Sequence, residues 1–115
     1  MRPPANTFIS PEVEDALRAL AGNLKQARLR RNQTQEEIAA RIGVDKRTIS
    51  RVESGYAGSS LKVVFAMLES YGLMSPVFDL AEPTKDEVGL AYEKKRLPQR
   101  IKKSAAKAGD LSSDF

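Results

Sequence analysis

A chain of 115 residues has room for one domain with modest tails. It contains no cysteine and no histidine, which excludes disulfides, thiol chemistry, the usual zinc sites and the commonest general base. With 30% charged residues and no apolar run long enough to span a bilayer, it reads as a cytoplasmic, non-membrane, non-enzymatic protein.

The net charge of +4 is unevenly spread. Residues 21–56 carry eight basic and four acidic side chains, and residues 85–115 eight and five. The stretches 1–20 and 57–84 are net acidic. Two separated basic blocks suit a polyanionic partner, although a basic surface also serves solubility alone. No metal site, cofactor or catalytic set is expected from the carboxylates, lysines and hydroxyls that remain.

Residues 1–10, with Pro3 and Pro4 and no apolar leader, read as an irregular arm without a secretory signal. Ser10-Pro11-Glu12 signals a helix start: a hydroxyl cap, a proline at the first helical position and an acid near the positive dipole end. Val13, Leu17, Leu20, Leu24 and Ala27 follow at helical spacing. Gly22 weakens this stretch by about 1 kcal/mol relative to alanine, so one helix to about Arg31 or two shorter ones are both open. Asn32 suits a left-handed stop.

Thr34-Gln35-Glu36-Glu37 has the form of a capping box. The helix it opens turns Ile38, Ala39 and Ile42 inward and ends at Gly43. Asp45 caps a second short helix, about Lys46 to Ser54, with Ile49 and Val52 inward. A Gly/Ser loop follows, and Ser60 caps a further helix whose buried stripe is Leu61, Val64, Leu68 and Tyr71, closed by Gly72.

Met74–Ala81 is short and rich in strand formers, so a strand is expected there, with Val77, Phe78 and Leu80 pairing across a homodimer. A lone strand leaves its backbone groups unsatisfied, and no second strand is seen in the chain. Thr84–Glu87 looks like another capping box, opening a short helix through about Lys95 that Leu97-Pro98 breaks. Residues 94–107 hold seven basic and no acidic side chains. This tail admits three readings: a DNA contact, a partner-binding segment, or a disordered solubilising end.

Two short helices joined at a glycine, residues 34–53, are what a helix-turn-helix requires. Its first helix crosses the DNA backbone and its second enters the major groove. The outward positions of the second helix are Lys46, Arg47, Ser50 and Arg51. Arginine and lysine both donate to guanine O6 and N7, the commonest base-specific contact. A lone helical arginine is usually a solvated surface residue; three basic groups on one face behind a capped first helix are harder to dismiss. Arg30 and Thr48 are candidates for phosphate contact.

Leu24–Arg28, Thr34–Ala39, Ile42-Gly43-Val44, Thr48–Gly55, Ser60-Leu61 and Tyr71-Gly72-Leu73, in that order, resemble the lambda-repressor-like (Cro/CI, XRE) family. The resemblance implies an all-α, compact bundle of about five helices. It also implies that Gln35 contacts phosphate, that Lys46, Arg47 and Arg51 occupy base-reading positions, and that Arg28 and Glu53 form a structural ion pair. Gln33 departs from the family's usual apolar residue. The strand expected after Leu73 is similar to HipB-type antitoxins, which would add a kinase-like toxin as partner.

The expected organisation is therefore an arm (1–10), a DNA-binding domain (11–73), an extension for dimerisation or partner binding (74–96) and a basic tail (97–115). The expected function is a sequence-specific transcriptional regulator, a repressor that binds a palindromic operator in double-stranded DNA as a homodimer and associates with the nucleoid; the alternative is an antitoxin that binds a kinase-like toxin and autorepresses its operon.

Overall fold

The computed structural model describes residues 9–106. Residues 1–8 of the expected arm and the last part of the tail, 107–115, lie outside the described residues. The chain divides into two compact units, one ending at Val77 and one beginning at Phe78.

In the first unit, α1 runs unbroken from Pro11 to Arg30. Ser10 caps it by accepting from the Val13 amide at 3.2 Å. Gly22 sits inside this helix in open space, so its cost is conformational and not a packing defect. Asn32 turns the chain at φ +55°, a left-handed conformation that asparagine tolerates.

The capping box expected at Thr34 forms in both directions: Thr34 Oγ1 accepts from the Glu37 amide at 3.0 Å, and Glu37 Oε1 accepts from the Thr34 amide at 2.8 Å. It opens α2, Gln35–Ile42. Gly43 ends α2 at φ +76°, where a side chain would be strained. The Val44 amide then reaches back to the Ala39 carbonyl at 2.9 Å, the 6→1 bond of a Schellman turn. Asp45 Oδ1 accepts from the Arg47 amide at 2.8 Å and starts α3, Lys46–Glu53. Ser60 caps α4, Leu61–Ser70.

α2 packs on α3 and α4, and α1 packs on α3. Leu24, Ile38, Ile49 and Met67 are fully enclosed, with Ala27, Ala39, Val52, Val64 and Tyr71 completing the core. Each of the four large side chains contributes about 1.5–3 kcal/mol through burial.

The apolar stripes read from the sequence are only partly covered. Ala21, Leu24 and Ala27, on the C-terminal half of α1, are buried, whereas Val13 and Leu20 are exposed. Leu61 is exposed as well, and Met67 takes the central place in α4. Helical spacing names a face without saying how far along the helix a neighbour extends.

The expected strand is corrected. Ser75–Asp79 is a 3-10 turn, and no strand occurs among the described residues. Pro76 has no amide hydrogen to give to a ladder. The Val77 amide bonds locally to the Met74 carbonyl at 2.9 Å, and Ala81 turns the chain at φ +55°. Backbone groups that a strand would offer to a partner are used within the turn. Val77, Phe78 and Leu80 therefore form no dimer strand; Phe78 and Leu80 are exposed and Val77 is half-buried.

In the second unit, Pro83–Lys85 forms another 3-10 turn, in which Glu82 accepts from the Thr84 amide and hydroxyl. The helix start moves accordingly from Thr84 to Asp86, whose Oδ1 accepts from the Gly89 amide at 2.9 Å. Helix α5 runs from Glu87 to Ala106, continuing through Pro98 where a break was expected. Proline removes one helical hydrogen bond, but the lysines, arginines and alanines around it are strong helix formers.

Candidate nucleic-acid interface

The orientation of α3 is set from both sides. Towards the core, Ile49 and Val52 are 0% and 4% exposed and fix its rotation about its own axis. At its C-terminal end, Glu53 is tied to α1 and α2 through a nearly buried carboxylate. Arg28 Nε and Nη2 donate to its two oxygens at 2.7 and 3.0 Å, and Gln35 Nε2 donates at 3.0 Å. The remaining Arg28 arm donates to the Gln33 carbonyl at 2.8 Å. One guanidinium thus spans α1, the turn before α2 and the end of α3. Its hydrogen bonds to Glu53 hold the Arg28 pKa above its ordinary value, against the opposing effect of burial.

Such a bidentate pair is geometrically demanding, which suits it to fixing a helix direction. Gln33, which departs from the family's usual apolar residue, contributes through its backbone and so needs no apolar side chain for this purpose.

With α3 rotated in this way, Lys46, Arg47, Ser50 and Arg51 are all exposed. At 3.6 residues per turn they occupy an arc of about 140° facing away from the core. Lys46 Nζ lies 3.2 Å from Glu36 Oε1, an exposed pair. Pairs of this kind contribute about 0–1 kcal/mol, so the lysine is readily exchanged to another acceptor. The Arg51 guanidinium stands over the ring of Tyr56, 5.8 Å from its centroid.

Arg30 is exposed in the last turn of α1. Thr48 is half-buried and lines a cleft of about 180 Å³ with Arg51, Tyr56 and the start of α4. Gln35 is half-buried at the start of α2, with one amide hydrogen committed to Glu53; an amide nitrogen carries two. Glu37, beside it, has its carboxyl held below the ordinary range by the Thr34 amide and hydroxyl.

Two residues escaped the sequence reading. Arg31 Nη1 and Nη2 donate to the Ala27 and Tyr71 carbonyls at 2.9 and 2.7 Å, and the guanidinium covers the Tyr71 ring at 5.4 Å. It satisfies carbonyls at the ends of both α1 and α4; its only sequence signal is its place just after the last turn of a helix. Tyr56 lies in the loop after α3, and nothing in the periodicity links it to Arg51. Among the described residues no cluster of acidic side chains is arranged to hold a metal ion, and no helix is long and apolar enough to cross a membrane.

The helix-turn-helix family model matches residues 24–77, the span from the middle of α1 to the turn after α4. An uncharacterised HTH-type transcriptional regulator of Methanocaldococcus jannaschii is 35% identical over 54 residues, covering 47% of this chain and 82% of that protein. No solved structure matches. The landmarks of the motif, from Leu24 through the Thr34 capping box and Gly43 to the exposed face of α3, place the chain in the XRE-type helix-turn-helix family.

Proposed function

We propose that this protein is a sequence-specific DNA-binding transcription regulator, acting as a repressor and binding a near-palindromic operator as a homodimer. The observation that carries the reading is the exposed basic arc of α3, held outward by the buried side chains of the same helix. The relative's description as a transcriptional regulator agrees with it.

In this reading Lys46, Arg47, Ser50 and Arg51 meet base edges. Gln35, Arg30 and Thr48 contact phosphates, which position the protein without reading sequence. Two copies would place their α3 helices in successive major grooves, about 34 Å apart. Repression follows if the operator overlaps a promoter. The dimer in this proposal does not use a strand at residues 77–80.

The antitoxin alternative rested on that strand, and a 3-10 turn stands in its place. The regulator is therefore the reading we retain. Selection of bound duplexes from a random pool, with the mass of the complex taken on the same sample, tests it. An inverted repeat bound by two chains is expected. Recovery of no preferred sequence would overturn specific recognition by this chain alone, and a second protein retained with the native chain would restore the toxin partner.

A further inference from the structure

We infer that Tyr56 is a positioning residue for Arg51, holding its guanidinium at the edge of the reading face, and that Gly58 is the residue that gives Tyr56 room to do so. The inference rests on the assignment of α3 as the DNA-reading helix.

Local hydrogen bonds tie down the backbone around this contact. The Arg51 carbonyl accepts from the Ser54 hydroxyl at 2.8 Å and from the Tyr56 amide at 3.1 Å, which fixes the end of α3 against the loop. The Ser59 amide donates to the Tyr56 carbonyl at 3.1 Å and closes the turn 56–59. This turn folds the Tyr56 side chain back over Gly58. A Cβ at position 58 would lie 2.6 Å from Tyr56 Cε2 and Cζ and 2.7 Å from its hydroxyl oxygen, closer than real Cβ contacts come. Gly58 is not in the left-handed region, so freedom of φ does not explain it. The space taken by the tyrosine ring does.

From that position the ring face meets the Arg51 guanidinium with 5.8 Å between the carbon and the ring centroid, within cation–π range. Arginine has a long, freely rotating side chain, and ordering it opposes binding. A ring that already holds the guanidinium lowers that cost without touching DNA. The chain of cause runs from Gly58 to the ring and from the ring to Arg51. It also makes Gly58→Ala a mild probe, because only the far end of a flexible side chain must move.

The 115-residue chain and its Tyr56→Phe, Tyr56→Ala and Gly58→Ala variants are compared, each with and without Arg51→Ala. The free protein is read first, through the ring-current shift of the Arg51 Nε–H resonance. The shift is expected to persist in Tyr56→Phe and to vanish in Tyr56→Ala and Gly58→Ala. Binding is then measured to the duplex selected by the native chain and to single-base-pair variants of it. Tyr56→Ala and Gly58→Ala are expected to weaken binding about two- to five-fold, the range of one exposed cation–π contact. Neither should cause a further loss once Arg51 is alanine.

Equal losses in both backgrounds, with a parallel drop in melting temperature, would make Tyr56 merely structural and overturn the proposal. So would an unshifted Arg51 resonance in the native chain. A shifted resonance in a native chain that selects no sequence would instead overturn the DNA reading, and the positioning role with it.

Discussion

Arg47 and Arg28 carry the same charged group and differ only in where the fold puts it. Arg47 is exposed on the outer arc of α3, free to approach a base edge. Arg47→Ala is expected to cost about 1–3 kcal/mol of operator binding and to relax preference at one base position, read by repeating the selection with the variant. Arg28 is enclosed, its side chain 8% exposed against a Glu53 side chain that is 3% exposed. Arg28→Ala leaves that carboxylate buried with Gln35 as its remaining side-chain donor, and a loss of about 3–5 kcal/mol is expected from denaturant unfolding. Tyr71 supplies a pH signature. Burial pushes its phenol above the ordinary value of 10.0, with Glu53 adding to the shift, and its hydroxyl finds no hydrogen-bond partner among the described residues. The neutral phenol is favoured in the folded state, so its contribution is fully present below pH 10 and is lost as pH rises through the folded value. Tyr71→Phe is expected to leave stability at neutral pH unchanged or higher. Above pH 10 it should unfold less readily than the native chain, as a pH series of denaturation midpoints would show.

The helix starts in the first unit were legible because their signals are local. Ser10, Thr34, Asp45 and Ser60 each accept a hydrogen bond from an amide two or three residues ahead, so a few neighbouring residues decide the outcome. Gly43 is equally local. Its φ of +76°, with open space where a side chain would begin, means that alanine there would meet backbone strain and no clash. Gly43→Ala is expected to lower stability by about 1–2 kcal/mol, and Gly43→Asn by less, in thermal melts of the two variants. Residues 74–81 show where local signals mislead. Val77, Phe78 and Leu80 have the composition of a strand, yet Pro76 and the i→i+3 bond from Val77 to Met74 favour a turn that satisfies its own backbone. The start of α5 moved for a similar reason: the Glu82 carboxylate engages Thr84, and the capping role falls to Asp86.

For the molecule as a whole, every residue of the buried core lies between Ala21 and Tyr71, whereas no described side chain beyond Phe78 is buried. A chain ending at Val77 is therefore expected to keep a cooperative unfolding transition with nearly the native midpoint. A broad, non-cooperative melt would show that the second unit supports the first. Removing only residues 97–115 separates the readings of the basic tail, since a contact to phosphates would appear as a shallower dependence of binding on salt.

Composition and spacing by themselves determined helical segments between residues 11 and 72 in a chain without cysteine or histidine. They also determined that two capped helices meet at Gly43, and that Lys46, Arg47, Ser50 and Arg51 face away from Ile49 and Val52. Each of these follows from bonds or periodicities that span only a few residues. Tertiary structure decided the rest. Which half of the α1 stripe is covered depends on where other helices lie. The Arg28–Glu53 pair, which the family resemblance implied, closes across 25 residues of chain. Arg31 reaches a carbonyl 40 residues away. Arg51 is held by a tyrosine that the intervening turn folds back onto a glycine. Contacts of this kind depend on distances in space that no local pattern encodes, and they turn an exposed basic helix into an oriented one.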